Sequence, residues 1–368
     1  MNVGHELNLE LLKVLLGPIA PWLEDPAVTD IVIYGHRDVY VRRQGEGLRA
    51  TDAGWRSATD LVLAAESIAE VIHRRLDADH PLLDSRLPDG ARVNIVIPPC
   101  SPAGACVSIR LFPQRRHNAG DLLRFGTLDD TGLAILRAVV ALGRNILISG
   151  GTGAGKTTLL NVLGGFIPAD QIVVTVEDSR EIFLDRKLWA ALESKHPRHA
   201  DDRPVTLADL VRNALRMNPR WLIVGEVRGA EALDLIRAFN TGHAGLSTIH
   251  ANSAADALLA LENLVLQGGL DIPARAVKEL VARAIHVVVQ VSHYPDESRK
   301  VAEIVEVDGL DYAASATFPP YRVIPLYQFV FEGYDDQDRL RGRFQTGGRP
   351  TFPDELRLRR IPCPEVWL

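Results

Sequence analysis

The sequence predicts an α/β protein in two parts, a mixed α/β N-terminal domain and a C-terminal domain built on a parallel sheet. Three observations predict it. Short apolar runs alternate with helical stretches from residue 130 to residue 291, the rhythm of strands joined by crossover helices. A glycine-rich octapeptide sits between one such strand and the helix after it. The first ~113 residues carry several β-like runs and one helix, then give way to a polar segment broken by Pro and Gly.

In the first part, Asp30–Tyr34 and Asp38–Arg42 read as strands split by Gly35. Leu61, Ala64, Ala65, Ile68 and Ile72 share one face of a helix over Leu61–Arg75. Arg92–Ile97 and Cys106–Phe112 read as two further strands. The predicted division is a domain over residues 1–113, a linker over 114–126 and a second domain over 127–368. In that second part a helix is expected at Asp130–Leu142 and a strand at Asn145–Ser149. Strands follow at Gln171–Val176, Trp221–Val224, Leu246–Ile249 and His286–Val291. The last ~50 residues return to β-like alternation.

Apolar residues make up 46% of the chain and charged residues 24%, an ordinary globular mixture with enough apolar surface for a sizeable core. The formal charge of −6 excludes a general electrostatic footprint for nucleic acid. The basic clusters Arg115–His117 and Arg357–Arg360 are short and lack stacking aromatics, so direct nucleic-acid binding is not expected. Cys100, Cys106 and Cys363 have no metal-ligand spacing and fit a reducing compartment. The opening MNVGHELNLE does not read as a signal peptide, and no window reaches ~18 apolar residues without charge. The expectation is a cytoplasmic protein, with any membrane association peripheral.

Gly150-Gly151-Thr152-Gly153-Ala154-Gly155-Lys156-Thr157 matches the phosphate-loop pattern G-x-x-x-x-G-K-[ST], with Thr158 beside it. A triphosphate needs backbone N–H groups turned inward, and glycines let the chain wrap that closely. The helix N-terminus adds its dipole. Lys156 is expected to neutralise the β- and γ-phosphates of ATP, and the Thr157 hydroxyl to ligate Mg2+. Hydrolysis also needs a carboxylate to polarise water at the end of a neighbouring strand. Glu226 and Glu177 each follow an apolar strand directly or after one glycine, where α/β sheets bind ligands. Gly225 stands where other P-loop enzymes carry Asp, so these carboxylates are expected to reach the metal through water.

The segments VTVEDSREI (174–182), NALRMNPRWLIVGEVRGAEALD (213–234) and TGHAGLSTIHANSA (241–254) follow the order and spacing of a known family. With RLPDGARVNIVIPP (86–99) and VSIRLFP (107–113), they resemble the secretion-superfamily ATPases of type II and type IV secretion, pilus biogenesis and conjugation. The resemblance implies an N-terminal PAS-like α/β domain, a C-terminal RecA-like P-loop NTPase domain, and a homohexameric ring working on inner-membrane platform proteins. It implies that Glu226 is the catalytic glutamate, that Glu177 supports water and magnesium, and that His250 senses the γ-phosphate. His243 matches a second position in the same motif. Arg92 and Arg110 fall on the strand faces opposite Val93, Ile95, Val107 and Ile109, so both project off the core. Alone, that pattern fits solvated arginines; the resemblance implies phosphate contacts. Arg228 also fits the motif, and an inter-strand or inter-subunit ion pair is an equally good reading.

Residues 327–356 resemble the tail of tight-adherence (Tad) pilus assembly ATPases, although Arg343 intervenes between Gly342 and Phe344. The front of the chain departs from that pattern, with Tyr34-Gly35 where Asn-Gly is usual. The leading expectation is therefore a motor for pilus assembly or protein secretion. The alternative is the ATPase of a conjugative or type IV secretion DNA-transfer system. A nucleotide-binding regulator without turnover is disfavoured by the presence of both Glu177 and Glu226.

Overall fold

The structure is a computed structural model that describes residues 14, 16–43, 46–111, 117–195, 202–269 and 272–367. The chain divides into two compact units, up to residue 116 and from residue 117.

The first unit is a six-stranded antiparallel sheet with one long helix. Its elements are β1 (Val28–Tyr34), β2 (Val39–Arg43), β3 (Leu48–Ala50), α1 (Ala58–Val71), β4 (Leu82–Arg86), β5 (Arg92–Val96) and β6 (Cys106–Arg110), in the sheet order β3-β2-β1-β6-β5-β4. One face is apolar at every second residue, and Ile31, Ile33, Val93, Ile95, Val107 and Ile109 pack with Leu61, Ala65 and Ile68 of α1. Alternation of this kind is what a sheet covered on one side requires. The Ser57 side chain caps α1 by accepting from Asp60 N. The helix ends earlier than its apolar spacing predicts, because His73 turns to a left-handed φ of 55°.

The second unit holds a nine-stranded mixed sheet. In chain order its elements are α2 (Ala119–Arg124), α3 (Asp130–Ala141), β7 (Ile146–Gly150), α4 (Lys156–Gly164), β8 (Val173–Glu177), β9 (Trp189–Glu193), α5 (Leu207–Ala214), β10 (Trp221–Val224), α6 (Glu231–Asn240), β11 (Ala244–Ile249), α7 (Ala254–Gln267), α8 (Ala274–Ala284), β12 (Val287–His293), β13 (Arg299–Leu310), β14 (Tyr321–Tyr334), β15 (Leu340–Thr346) and α9 (Pro353–Leu358). The sheet order is β15-β14-β13-β12-β7-β11-β10-β8-β9, parallel from β12 to β9 and antiparallel from β12 to β15. Both faces are covered. Ile146 and Ile148 face Leu136 and Leu160 on one side, whereas Leu147, Val174 and Leu222 face Ile236 and Leu258 on the other. Burial on both sides explains why these strands read as unbroken apolar runs.

Two expectations need correction. Residues 114–126 are not a plain linker: from 117 on they are described, and Ala119–Arg124 form a helix. Asn118 and Asp121 make a reciprocal capping box around its start, and Leu122 is buried in the second unit's core. Gly120 and the surrounding charges disguise this helix as loop. The strand expected at Cys106–Phe112 ends at Arg110, and Phe112 lies outside the described residues, as do Arg115 and Arg116.

Candidate nucleotide site

β7 runs into the phosphate loop at the centre of the parallel sheet, between β12 and β11. A Cβ at Gly150 would collide with the Val291 carbonyl of β12, so glycine is needed there for close strand packing. Gly153 and Gly155 adopt left-handed φ angles of 73° and 98°, which turn the loop back onto α4. Thr157 and Thr158 are half-buried in the first turn of α4, whose N–H groups point toward the loop.

Lys156 is buried. Its Nζ donates to the carbonyls of Gly150 and Gly151, both at 3.0 Å, and lies 3.3 Å from Nδ1 of His250. Burial pulls its pKa below the ordinary lysine value, with nearby Glu226 opposing that shift. His250 follows β11 directly, and its Nε2 is 2.5 Å from Glu226 Oε1, close but not aligned as a hydrogen bond. Desolvation lowers the His250 pKa despite Glu226. A lysine ammonium can only donate, so Nδ1 accepts and the proton of the neutral ring belongs on Nε2, facing Glu226.

Glu226 follows β10 by one residue. Its other oxygen pairs with Arg228 Nη2. Burial works against the Arg228 charge, but Glu226, with Asp178 and Glu181 nearby, more than offsets it and raises the Arg228 pKa. This pair joins residues two apart in one turn and does not link two strands.

Glu177 ends β8 and is 3% exposed. Its Oε1 accepts from Glu181 N at 2.7 Å and Ile182 N at 2.9 Å; Oε2 is buried without a hydrogen-bond partner among the described residues. Burial pushes this carboxyl up to about 7 against the lowering effect of the two amides. Gly225 has a steric reason to be glycine, since a Cβ there would lie 3.0 Å from Glu177 Cγ. The missing aspartate thus makes room for the neighbouring strand's carboxylate.

Four adjacent parallel strands, β7, β11, β10 and β8, therefore deliver Lys156, His250, Glu226 and Glu177 to their C-terminal ends. Carboxylates and a threonine hydroxyl are the donor types a hard divalent cation takes, and the buried Glu177 Oε2 has no hydrogen-bond partner among the described residues. His243 does not join them. It precedes β11, at the opposite end of the strand, where its Nδ1 lies 3.1 Å from Ala238 O. There it lines a groove of about 470 Å³ with Arg220 and Thr241.

In the first unit, Arg92 and Arg110 are register partners on the face opposite the core. They belong to a row that crosses five strands: Arg86, Arg92, Arg110, Asp30 and Arg42 stand side by side. Arg110 Nε pairs with Asp30 Oδ1 at 3.1 Å and is 60% exposed.

Sequence reasoning did not single out three supporting residues. Asn161 donates to the carbonyls of Thr157 and Glu181 and accepts from Phe183 N, stapling the segment after Glu177 to the phosphate-loop helix. Glu231 accepts from the amides of Arg228 and Gly229, fixing the turn after Glu226. Arg299 reaches the phosphate loop from β13, donating from Nε to the Gly153 carbonyl at 2.8 Å. The acidic residue three places after Arg228, at a helix start, was the one local signal available.

A phosphate loop at the centre of a parallel sheet, with carboxylates at the neighbouring strand ends, defines a RecA-like P-loop ATPase. More narrowly, the chain belongs to the type II/IV secretion system protein family, whose model matches residues 14–304. It is 33% identical over 307 residues to a putative conjugal transfer protein of Mycobacterium tuberculosis, covering 81% of this chain and 86% of that one. It is 32% identical to the type IV secretion system protein PtlH of Bordetella pertussis, covering 80% and 95%. The fold is shared with the Legionella pneumophila ATPase DotB, at 22% identity and a TM-score of 0.56, covering 78% and 79%.

Proposed function

We propose that this chain is the subunit of a homohexameric motor that couples ATP hydrolysis to pilus assembly or protein secretion through inner-membrane platform proteins. The observation that carries this reading is the convergence of Lys156, His250, Glu226 and Glu177 at the ends of adjacent strands. In it, residues 150–158 would cradle the phosphates, Thr157 would ligate Mg2+, which would neutralise phosphate charge, and Glu226 and Glu177 would hold and polarise the attacking water. Arg92 and Arg110 supply phosphate contacts from the N-terminal domain. Among the described residues no helix is long and apolar enough to cross a membrane, which suits a subunit that docks on a membrane partner.

The names of the relatives favour a second reading, service to a conjugative or type IV secretion system. That service would be indirect. Arg357 and Arg359 of the C-terminal basic cluster pair with Asp354 and Glu355, which leaves little charge for a nucleic-acid backbone. The tight-adherence branch rests on the C-terminal tail alone.

The test is light-scattering mass and ATPase rate of the full chain, with and without Mg-ATP, beside Lys156→Ala. A hexamer-sized particle whose turnover vanishes in the variant is expected. A wild-type chain that hydrolyses ATP as a monomer would sink the ring, and undiminished turnover by the variant would sink the site.

A further inference from the structure

We propose that Arg299 is a positioning residue for the phosphate loop, holding it in its anion-binding shape from outside the recognised motifs. The argument begins with the loop's own weakness. Gly151 and Gly153 have open space where a side chain would be, and the turn bond from Ala154 N to Gly151 O is 3.4 Å long. Glycines that give the loop its curvature also leave it costly to order, because they lose more backbone freedom on folding than other residues.

Arg299 counters that freedom. β12 runs beside β7 with Val291 opposite Gly150, and the chain then reverses so that Arg299 returns opposite His293. The reversal lays the arginine stem on the loop, its Cδ 3.4 Å from where a Gly155 Cβ would stand. Nε donates to Gly153 O at 2.8 Å, and Nη1 donates to Glu297 O at 3.3 Å. One guanidinium thus ties the loop to the hairpin turn.

The turn itself is fixed. Tyr294 N donates to Ser298 O at 2.9 Å, and Asp296 accepts from Ser298 N at 3.1 Å and from Leu340 N of β15 at 2.8 Å. Tyr294 packs edge-on against Phe329 of β14, with ring centroids 5.9 Å apart. The loop is therefore braced through Arg299 against the antiparallel extension of the sheet. An arginine with fixed partners also places a permanent positive charge at the lip of the phosphate site.

A bond that is the same before and during reaction contributes to binding and not to the chemical step. Replacing Arg299 should therefore weaken nucleotide binding with little effect on the bound state's turnover. This rests on the phosphate-loop reading, so Lys156→Ala serves as the reference.

The experiment uses the full chain with Arg299→Gln and Arg299→Lys, measuring Kd for a fluorescent ATP analogue, KM, kcat and Tm. Arg299→Gln is expected to raise Kd and KM about tenfold, the scale of one charge-assisted hydrogen bond, with kcat changed less than about threefold. Arg299→Lys keeps the charge without the fork and is expected to recover only part of the loss. An unchanged Kd in Arg299→Gln while Lys156→Ala abolishes binding would overturn the role of Arg299 alone. A fall in Tm with kcat and Kd lost together would make Arg299 merely structural and also overturn it. Normal binding by Lys156→Ala would remove the phosphate-loop reading and this role with it.

Discussion

The ends of β8 and β10 place two glutamates in matching positions on adjacent strands, yet they meet opposite surroundings. Glu177 is buried and held by two backbone amides, which carry no net charge. Glu226 is more exposed and faces Arg228, His250 and, at longer range, Lys156. Neutral donors stabilise a carboxylate only partly against burial, whereas cations do so outright. The same residue type one strand apart is thus a buried carboxyl raised to about 7 in one place and the ion-pair partner of Arg228 in the other.

The comparison breaks most sharply at Glu226. Glu226→Gln keeps the shape and removes the anion, and turnover measured by phosphate release should fall ~10²–10³-fold with analogue binding retained. Full hydrolysis by this variant would transfer the base role to Glu177.

Glu177→Gln should act on pH dependence instead. Raised from 4.5 to about 7, the folded-state pKa means that Glu177 favours the folded state fully below pH ~4.5. That contribution is lost as pH rises through 7 and is on the order of 3 kcal/mol. Urea unfolding at pH 5 and pH 8 should show this slope in wild type and a flatter one in Glu177→Gln, which still accepts the two amide bonds. An identical slope in both proteins would mean that the carboxyl is not protonated near neutrality.

The smallest effect is expected at Gly225→Ala, which presses a methyl group onto Glu177 Cγ. A stability loss of ~1–2 kcal/mol by the same unfolding method would show that the glycine serves Glu177. No loss would mean that the side chain yields without cost.

Much of this site is legible in the sequence because its signals are local. The phosphate loop is one contiguous octapeptide, and β7, β8, β10, β11 and β12 read as apolar runs since helices cover both sheet faces. The first unit's strands read by alternation because one face is solvated. What escapes is whatever depends on chain segments far apart. Arg299 meets Gly153 across 146 residues, and no pattern near either residue announces it. The edge strand β9 is only partly buried, and its short run Trp189-Ala190-Ala191-Leu192 has too few residues to tell strand from helix by period. His243 shares a motif with His250, but a strand that rises ~3.3 Å per residue carries the pair to opposite ends of β11.

The placement of β7 has a consequence for the order in which the protein can be built. Both of its neighbours, β11 and β12, are synthesised long after it, and Ser149 is tied to Gln290 across 141 residues. Contacts of that range form late, after the entropy of closing a long loop has been met. A nascent chain therefore carries the glycine-rich octapeptide well before it carries the strands that give it shape. Nucleotide can help this protein fold only once β12, whose Gln290 lies 141 residues beyond Ser149, has left the ribosome.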